Sequence, residues 1–361
     1  MKGIEALIKQ NKSFVIYRVP QQEPVLMLQS DGRLLRLKEL DELNGKTGFV
    51  FAPFQITDSS PLMVMQPDLV IEGWQDISCY LQKAVDEPDY VKPAEVLNDC
   101  RKRDDFESYS EAFSSFITSL RENKFEKLVL SRTSVQPKMD SFSLEKVLLE
   151  ACERYANAFV YIYHTPETGT WLGSTPEILL SGEKEQWNTV ALAGTLPYKE
   201  AVLPDAWNEK NIREQQLVAH YVKRQLVAFG VTPEENGPFT VKAGELAHLK
   251  SEFFFALPEK KRLGSLLSLL HPTPAVCGLP KAEAYRFILE NEGYNRRYYS
   301  GFMGWMEPEG KTDLYVNLRC MEIGDSCLTL YAGGGLLPHS ELEMEWKETE
   351  DKLETMLAIV K

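Results

Sequence analysis

The sequence predicts an α+β fold with large antiparallel β-sheets. Three observations carry this. Over the first 105 residues, short apolar runs follow one another with turns and no helical periodicity between them. Further along, strands come in clusters and helices fall between the clusters, instead of alternating one for one. The composition, 43% hydrophobic and 26% charged over 361 residues, supplies apolar surface for a sizeable core. That length fits one large domain or two ordinary ones, and no repeat, Gly/Ser-rich linker or low-complexity tract marks a boundary.

Residues 1–105 read as a strand-rich portion of one fold, with strands at 13–18, 24–28, 48–52 and 62–65 that pair with their neighbours. A polar stretch at 98–105 leads into a helix over 109–123, where Phe113, Phe116, Ile117 and Leu120 recur at helical spacing. Strands follow at 127–132, 158–164, 170–180 and 187–193, with helices over 143–155 and 207–229 between them. The last third adds a helix over 281–291 and strands near 299–305, 314–323 and 327–332. A closing helix starts near Glu343.

A net charge of -13 argues against a nucleic-acid groove or an anionic membrane surface. It does not exclude a small anionic substrate, because a few buried cations set the field inside a pocket. The cysteines, at 79, 100, 152, 277, 320 and 327, show neither CxxC pairs nor zinc spacing. Reduced structural thiols in a cytoplasmic protein are expected. The amino terminus is too charged for a secretion signal, and no apolar run reaches the roughly 18 residues of a spanning helix.

Chemistry-bearing residues concentrate after residue 126. In Lys127-Leu-Val-Leu-Ser-Arg132 a lysine opens an apolar, centrally placed strand. Burial favours its neutral amine, and base action near pH 7 needs a fall of roughly 2–3 pH units, or about 3–4 kcal/mol. The bare segment, taken alone, fits better a strand-end lysine that snorkels to water or pairs with a carboxylate. Glu177, between a proline and three large aliphatics, suits a general acid kept protonated, or an edge-strand glutamate in solvent. Glu214 borders an apolar helical stripe, and Glu345 and Glu348 share one face of the closing helix, with Lys352 beyond. Such carboxylates match the oxygen ligands that Mg²⁺ takes while keeping positions for an anionic substrate. Arg319 is placed inside an apolar strand, and the triplet Gly333, Gly334 and Gly335 closes another and frees backbone NH groups. His248 reads by default as a hydrogen-bonded core residue, and His271 sits in a loop stiffened by Pro272 and Pro274. No P-loop, GxGxxG, GxSxG or HExxH pattern is present.

In this order, these segments resemble the chorismate-utilising enzymes, and among them the isochorismate synthases. The matching pieces include Gly173-Ser-Thr-Pro-Glu-Ile-Leu-Leu, Ala193-Gly-Thr, Arg213-Glu-Gln-Gln-Leu-Val, Leu270-His-Pro-Thr-Pro-Ala, Asn317-Leu-Arg-Cys, Ala332-Gly-Gly-Gly and Glu345-Trp-Lys-Glu-Thr-Glu-Asp-Lys352. The resemblance covers 106–361, which it implies is the chorismate-binding catalytic portion, on a two-sheet antiparallel sandwich flanked by helices. It implies Mg²⁺ held by Glu214, Glu345 and Glu348. It also implies that Lys127 activates water for attack at C2 of chorismate and that Glu177 protonates the departing C4 hydroxyl. Thr195 and His248 would line the ring pocket, with His271 nearby. Tyr299, Arg319, Lys352 and the triplet Gly333–Gly335 would hold the substrate's acid groups. Lysine at 127, where anthranilate-type relatives carry an amide, favours water over ammonia as nucleophile. Salicylate synthase, which also eliminates pyruvate, and a non-catalytic chorismate-binding relative are the alternatives. The implied product supplies menaquinone or siderophore biosynthesis. The expected partner is the small-molecule substrate alone, with no nucleic acid and no membrane, on a monomer or weak dimer. Met344 stands where relatives commonly have glycine, and is expected to crowd the metal side.

Overall fold

The computed structural model describes residues 3–30, 34–85, 106–201 and 206–361. In chain order its elements are α1 (Gly3–Lys9), β1 (Ser13–Arg18), β2 (Val25–Gln29), β3 (Leu35–Leu37), β4 (Gly48–Ala52), β5 (Leu62–Met65), β6 (Leu69–Glu72), α2 (Trp74–Ala84), α3 (Phe106–Arg121), β7 (Lys127–Pro137), α4 (Leu144–Arg154), β8 (Phe159–Thr165) and β9 (Gly169–Thr175). They continue with β10 (Ile178–Glu183), β11 (Gln186–Pro197), α5 (Tyr198–Ala201), α6 (Glu209–Phe229), β12 (Glu234–Ala243), β13 (Leu246–Phe255), α7 (Leu263–Leu270), β14 (Gly278–Leu279), α8 (Lys281–Asn291), β15 (Phe302–Met306), β16 (Lys311–Val316), β17 (Cys320–Ile323), β18 (Cys327–Leu336) and α9 (Leu342–Val360).

Among the described residues the strands form two nine-stranded sheets, antiparallel throughout. One runs β14-β7-β18-β17-β9-β8-β1-β2-β6 and the other β12-β13-β11-β10-β16-β15-β4-β5-β3. The predicted fold class is observed. The sheets meet in an aromatic layer that includes Tyr17, Phe159, Tyr161, Tyr163 and Trp171 from the first and Phe49, Phe51, Met303 and Tyr315 from the second. On β4, Phe49 and Phe51 face this layer, while Val50 and Ala52 face the opposite cluster, as a period of two requires. The outer faces are covered too, the first sheet by α1, α2, α4 and α9 and the second by α6 and α7. Strands buried on both faces read as unbroken apolar runs, which hides their alternation.

That double burial also hides where the chain changes sheets. The run 170–180 reads as one strand, but it is β9 and β10, in different sheets, parted at Pro176-Glu177. The run 314–323 is β16 and β17, again in different sheets, parted at Asn317-Leu318-Arg319. Arg319 is therefore not inside a strand; it takes φ +45°, a left-handed conformation that interrupts the pleat. The two crossings lie side by side. Ser174 N donates to Arg319 O at 3.0 Å, Val316 N to Glu177 O at 2.9 Å, and Thr175 Oγ1 to Val316 O at 2.7 Å.

Other differences have local causes. The first third carries α1 and α2 besides its strands, and it is woven into both sheets, β1 pairing with β8 and β4 with β15. The hairpin β12–β13 escapes notice because its edge strand, Glu-Glu-Asn-Gly-Pro-Phe-Thr-Val-Lys-Ala, is largely exposed and polar. The stretch expected at 98–105 lies outside the described residues. Cys79, Cys152, Cys277 and Cys320 are free thiols, whereas Cys327 is disulfide-bonded, contrary to the expectation of reduced cysteines throughout. Among the described residues, no helix is long and apolar enough to cross a membrane.

Candidate active site

The site begins on the pair β7–β18. Lys127 opens β7 and is wholly buried, its Nζ 3.0 Å from Glu214 Oε1 on α6. The glycine triplet stands near the end of β18, just before its last residue, and is paired in register with β7, Gly333 opposite Ser131 and Gly335 opposite Val129. What glycine provides at 335 is side-chain space. A Cβ there would overlap Glu214 Oε1, and it would lie 2.8 Å from Glu214 Cδ and 2.9 Å from Lys127 Cε. Glycine is what lets the lysine–glutamate pair cross the strand so closely.

Two helices bring up the remaining carboxylates. Asn208 caps α6, its Oδ1 accepting from Asn211 N at 2.9 Å, and Gly230 at φ +98° ends the helix. Lys210 and Glu214 follow one turn apart on the same face. On α9, Glu345, Glu348 and Lys352 share the face turned towards β18, where a Cβ on Gly334 would lie 3.3 Å from Glu345 Oε2 and 3.5 Å from Glu348 Oε1. Each carboxylate has a lysine: Glu214 pairs with Lys127, Glu345 with Lys210, and Glu348 with Lys352 at 2.6 Å. Burial and then the neighbouring Glu348 push Glu345 up to about 7. For Glu348 burial acts upwards, but Lys352 and then Lys210 outweigh it and hold the group down at about 2. Met344 is 63% exposed and points away from this cluster, so it does not crowd it.

The chamber itself opens where the two crossings meet the triplet. Its walls include Glu177, Thr195, Glu214, His248, Tyr299, Arg319, Gly333, Gly335 and Lys352. Its free volume of about 50 Å³ accommodates a few waters. A second cavity, of about 220 Å³, adjoins it and shares Pro176 and Arg319. Glu177 is 2% exposed; burial raises its carboxyl to about 8, even against the opposing pull of Lys127, Arg319 and Lys352. It is thus a carboxylic acid at neutral pH, the form a general acid needs. His248 is held neutral, its pKa lowered to about 3 by burial and then by Arg319. With its Nδ1 2.9 Å from Gly194 O, the imidazole carries its proton there, leaving Nε2 to accept from Arg319 Nη2 at 3.1 Å. Tyr299 stacks on Tyr331 with ring centroids 5.3 Å apart. Lys352 Nζ also donates to Gly333 O at 2.7 Å.

Of the residues singled out in the sequence, nine line the chamber. Lys127 does not line it directly; Val129, Glu214 and Gly335 beside it do, and its charge is felt by Glu177. Glu345 and Glu348 lie immediately behind the triplet, against Gly334. His271 is not brought into the cluster: it is buried edge-on to Phe302 and lines a separate cavity with Phe54 and Lys281. Lys210 was not legible as a site residue. A lysine in the polar first turn of a helix looks like any solvated one, and only the fold shows three carboxylates around it.

The donor chemistry fits a hard dication. The three acids present carboxylate oxygens alone, and Glu345 Oε2 is buried with no hydrogen-bond partner. With the lysines engaged as they are, no three such ligands among the described residues are grouped closely enough to hold a metal ion.

Taken together, a two-sheet sandwich with a small chamber at its sheet crossings, lined by a buried acid and paired cations, forms a candidate site for a small anionic molecule. The comparisons with known proteins name its kin. The model of a family described as "Chorismate binding enzyme" matches residues 56–361, and the chain belongs to that family. Isochorismate synthase EntC of Escherichia coli K12 is 32% identical over 244 residues, 65% of this chain and 62% of that protein. Isochorismate synthase MenF of Bacillus subtilis 168 is 25% identical over 279 residues, 75% of this chain and 59% of that protein. The matched stretch thus spans less than two thirds of these relatives. In fold, the chain is similar to a putative 2,3-dihydroxybenzoate-specific isochorismate synthase, DhbC, from Bacillus anthracis, with a TM-score of 0.79, 22% identity and 99% of both chains covered. It is also similar to anthranilate synthase component I from Streptococcus pneumoniae, with a TM-score of 0.69, 17% identity, and 96% and 92% covered.

Proposed function

We propose that this protein is an isochorismate synthase, an isomerase that converts chorismate to isochorismate. The observation that carries the reading is Glu177, a carboxyl 2% exposed in the chamber wall beside Arg319 and Lys352, which burial raises to about 8. Lys127, reacting as the neutral amine, would take a proton from water as the water oxygen bonds to C2. The ring double bond shifts, and the C4 hydroxyl leaves as water with the proton of Glu177. One water enters and one departs, so the net change is an isomerisation. Arg319, steered by His248, and Tyr299 bind the enolpyruvyl carboxylate, while Thr195 lies along the ring. Glu214, Glu345 and Glu348 would hold Mg²⁺, which when bound neutralises and grips the ring carboxylate. Similarity to proteins described as a vibriobactin-specific isochorismate synthase of Vibrio cholerae and a menaquinone-specific isochorismate synthase of Escherichia coli supports menaquinone or siderophore supply as the use of the product.

Incubation with chorismate and MgCl₂ tests this reading. Isochorismate is expected as the product, with turnover lost on adding EDTA and lowered on the order of 10²–10⁴-fold in Lys127→Ala. Release of pyruvate with salicylate would move the assignment to a salicylate-forming enzyme, and binding without any product would make it a non-catalytic relative.

A further inference from the structure

We propose that Lys210 is the resident counter-cation of the carboxylate cluster, and that a divalent ion binds there only by displacing its ammonium group. This rests on reading Glu214, Glu345 and Glu348 as a metal site.

Three lysines face three carboxylates, but they are not equally held. Lys127 is 0% exposed and locked behind Gly335. Lys352 is 10% exposed and tied by two bonds, to Gly333 O and to Glu348. Lys210 is 18% exposed; it holds Glu345 Oε1 at 2.5 Å but reaches Glu348 Oε2 only at 4.0 Å. Of the three it is the most exposed and has the readiest route to water.

Its position is also unfavourable without the acids. Lys210 sits in the first turn of α6, where the helix macrodipole repels a cation. The neighbouring carboxylates hold it there, and in return it offsets a cluster that would be costly to bury unpaired. The match is incomplete, because Glu345 Oε2 remains buried without a partner. One ammonium brings a single charge and three donors; a hard dication brings two charges and draws on several oxygens at once. Lys210 therefore stabilises the metal-free cluster and, by the same contacts, competes with the metal.

Titrating MgCl₂ by calorimetry into wild type, Lys210→Met and Lys210→Arg, without chorismate, tests this, with Lys223→Met on the exposed face of the same helix as control. The neutral variant should bind Mg²⁺ on the order of tenfold more tightly, about 1.4 kcal/mol. Its metal-free Tm should fall and its Mg²⁺-induced rise in Tm should exceed that of wild type. Lys210→Arg and Lys223→Met should stay near the wild-type Kd. A Lys210→Met Kd within twofold of wild type, or weaker, overturns the role of Lys210 while leaving the metal site standing. Absence of Mg²⁺ binding in wild type and all variants overturns both. Should Lys210→Met not fold, Lys210→Gln carries the same comparison.

Discussion

Replacing Glu177 by glutamine should make the protein more stable at alkaline pH while disabling it. Burial lifts the Glu177 carboxyl from 4.5 to about 8. Between those values the folded chain keeps a proton that the unfolded chain releases. The contribution is fully present below about pH 4.5 and is lost as pH rises through about 8. At about 1.4 kcal/mol per pH unit, the whole window amounts to roughly 5 kcal/mol. Glutamine has nearly the same shape and no ionisation, so the variant escapes this loss. Subtracting wild type from Glu177→Gln cancels the titration of every group the two share. Urea unfolding of both proteins from pH 5 to pH 8, without substrate or metal, gives the difference directly. It should grow by roughly 4 kcal/mol across that range in favour of the variant. Turnover of the variant should be lower on the order of 10²–10⁴-fold. Stability profiles that run parallel would show that the site does not hold this proton, and the assignment of Glu177 as acid would fail with it.

The remaining predictions address the site piece by piece. In wild type, kcat/KM should decline above about pH 8 as Glu177 ionises, and a rate that stays level to higher pH would speak against it. Gly335→Ala should displace Glu214 and weaken Mg²⁺ binding about tenfold or more, at an overpacking cost of about 1–3 kcal/mol; calorimetry giving the wild-type Kd would contradict that close approach. His248→Ala should raise KM for chorismate about tenfold, since it removes the acceptor that orients Arg319, a bond of about 1.5 kcal/mol. Loss confined to kcat would instead place His248 in the chemical step, and His248→Gln should recover part of the KM effect.

Much of this molecule is legible in its sequence. Apolar runs give the strands, and the i, i+3 spacing of Glu345 and Glu348 places both acids on one face of α9. What stays hidden has physical causes. Periodicity records which face is buried but not in which sheet a strand lies, so the breaks at Pro176-Glu177 and at Arg319 read as continuous strands. Yet those breaks position the acid and the arginine. Pro176, which has no NH to donate to a ladder, was the one local hint. The glycines were visible, but their use was not: Gly335 makes room for Glu214, a contact between residues far apart in the chain. Lys210 carries no signal at all until the fold sets it among carboxylates. His271 shows the converse, since a rigid Pro-flanked loop fixes an orientation without saying towards which cavity.

The central claim is that water is delivered to C2 while the C4 oxygen leaves. Turnover of chorismate in H₂¹⁸O, followed by mass spectrometry of the product, tests it most directly. The account predicts isochorismate carrying one ¹⁸O, on C2. Isochorismate without label, its hydroxyl carried over from C4, would contradict it.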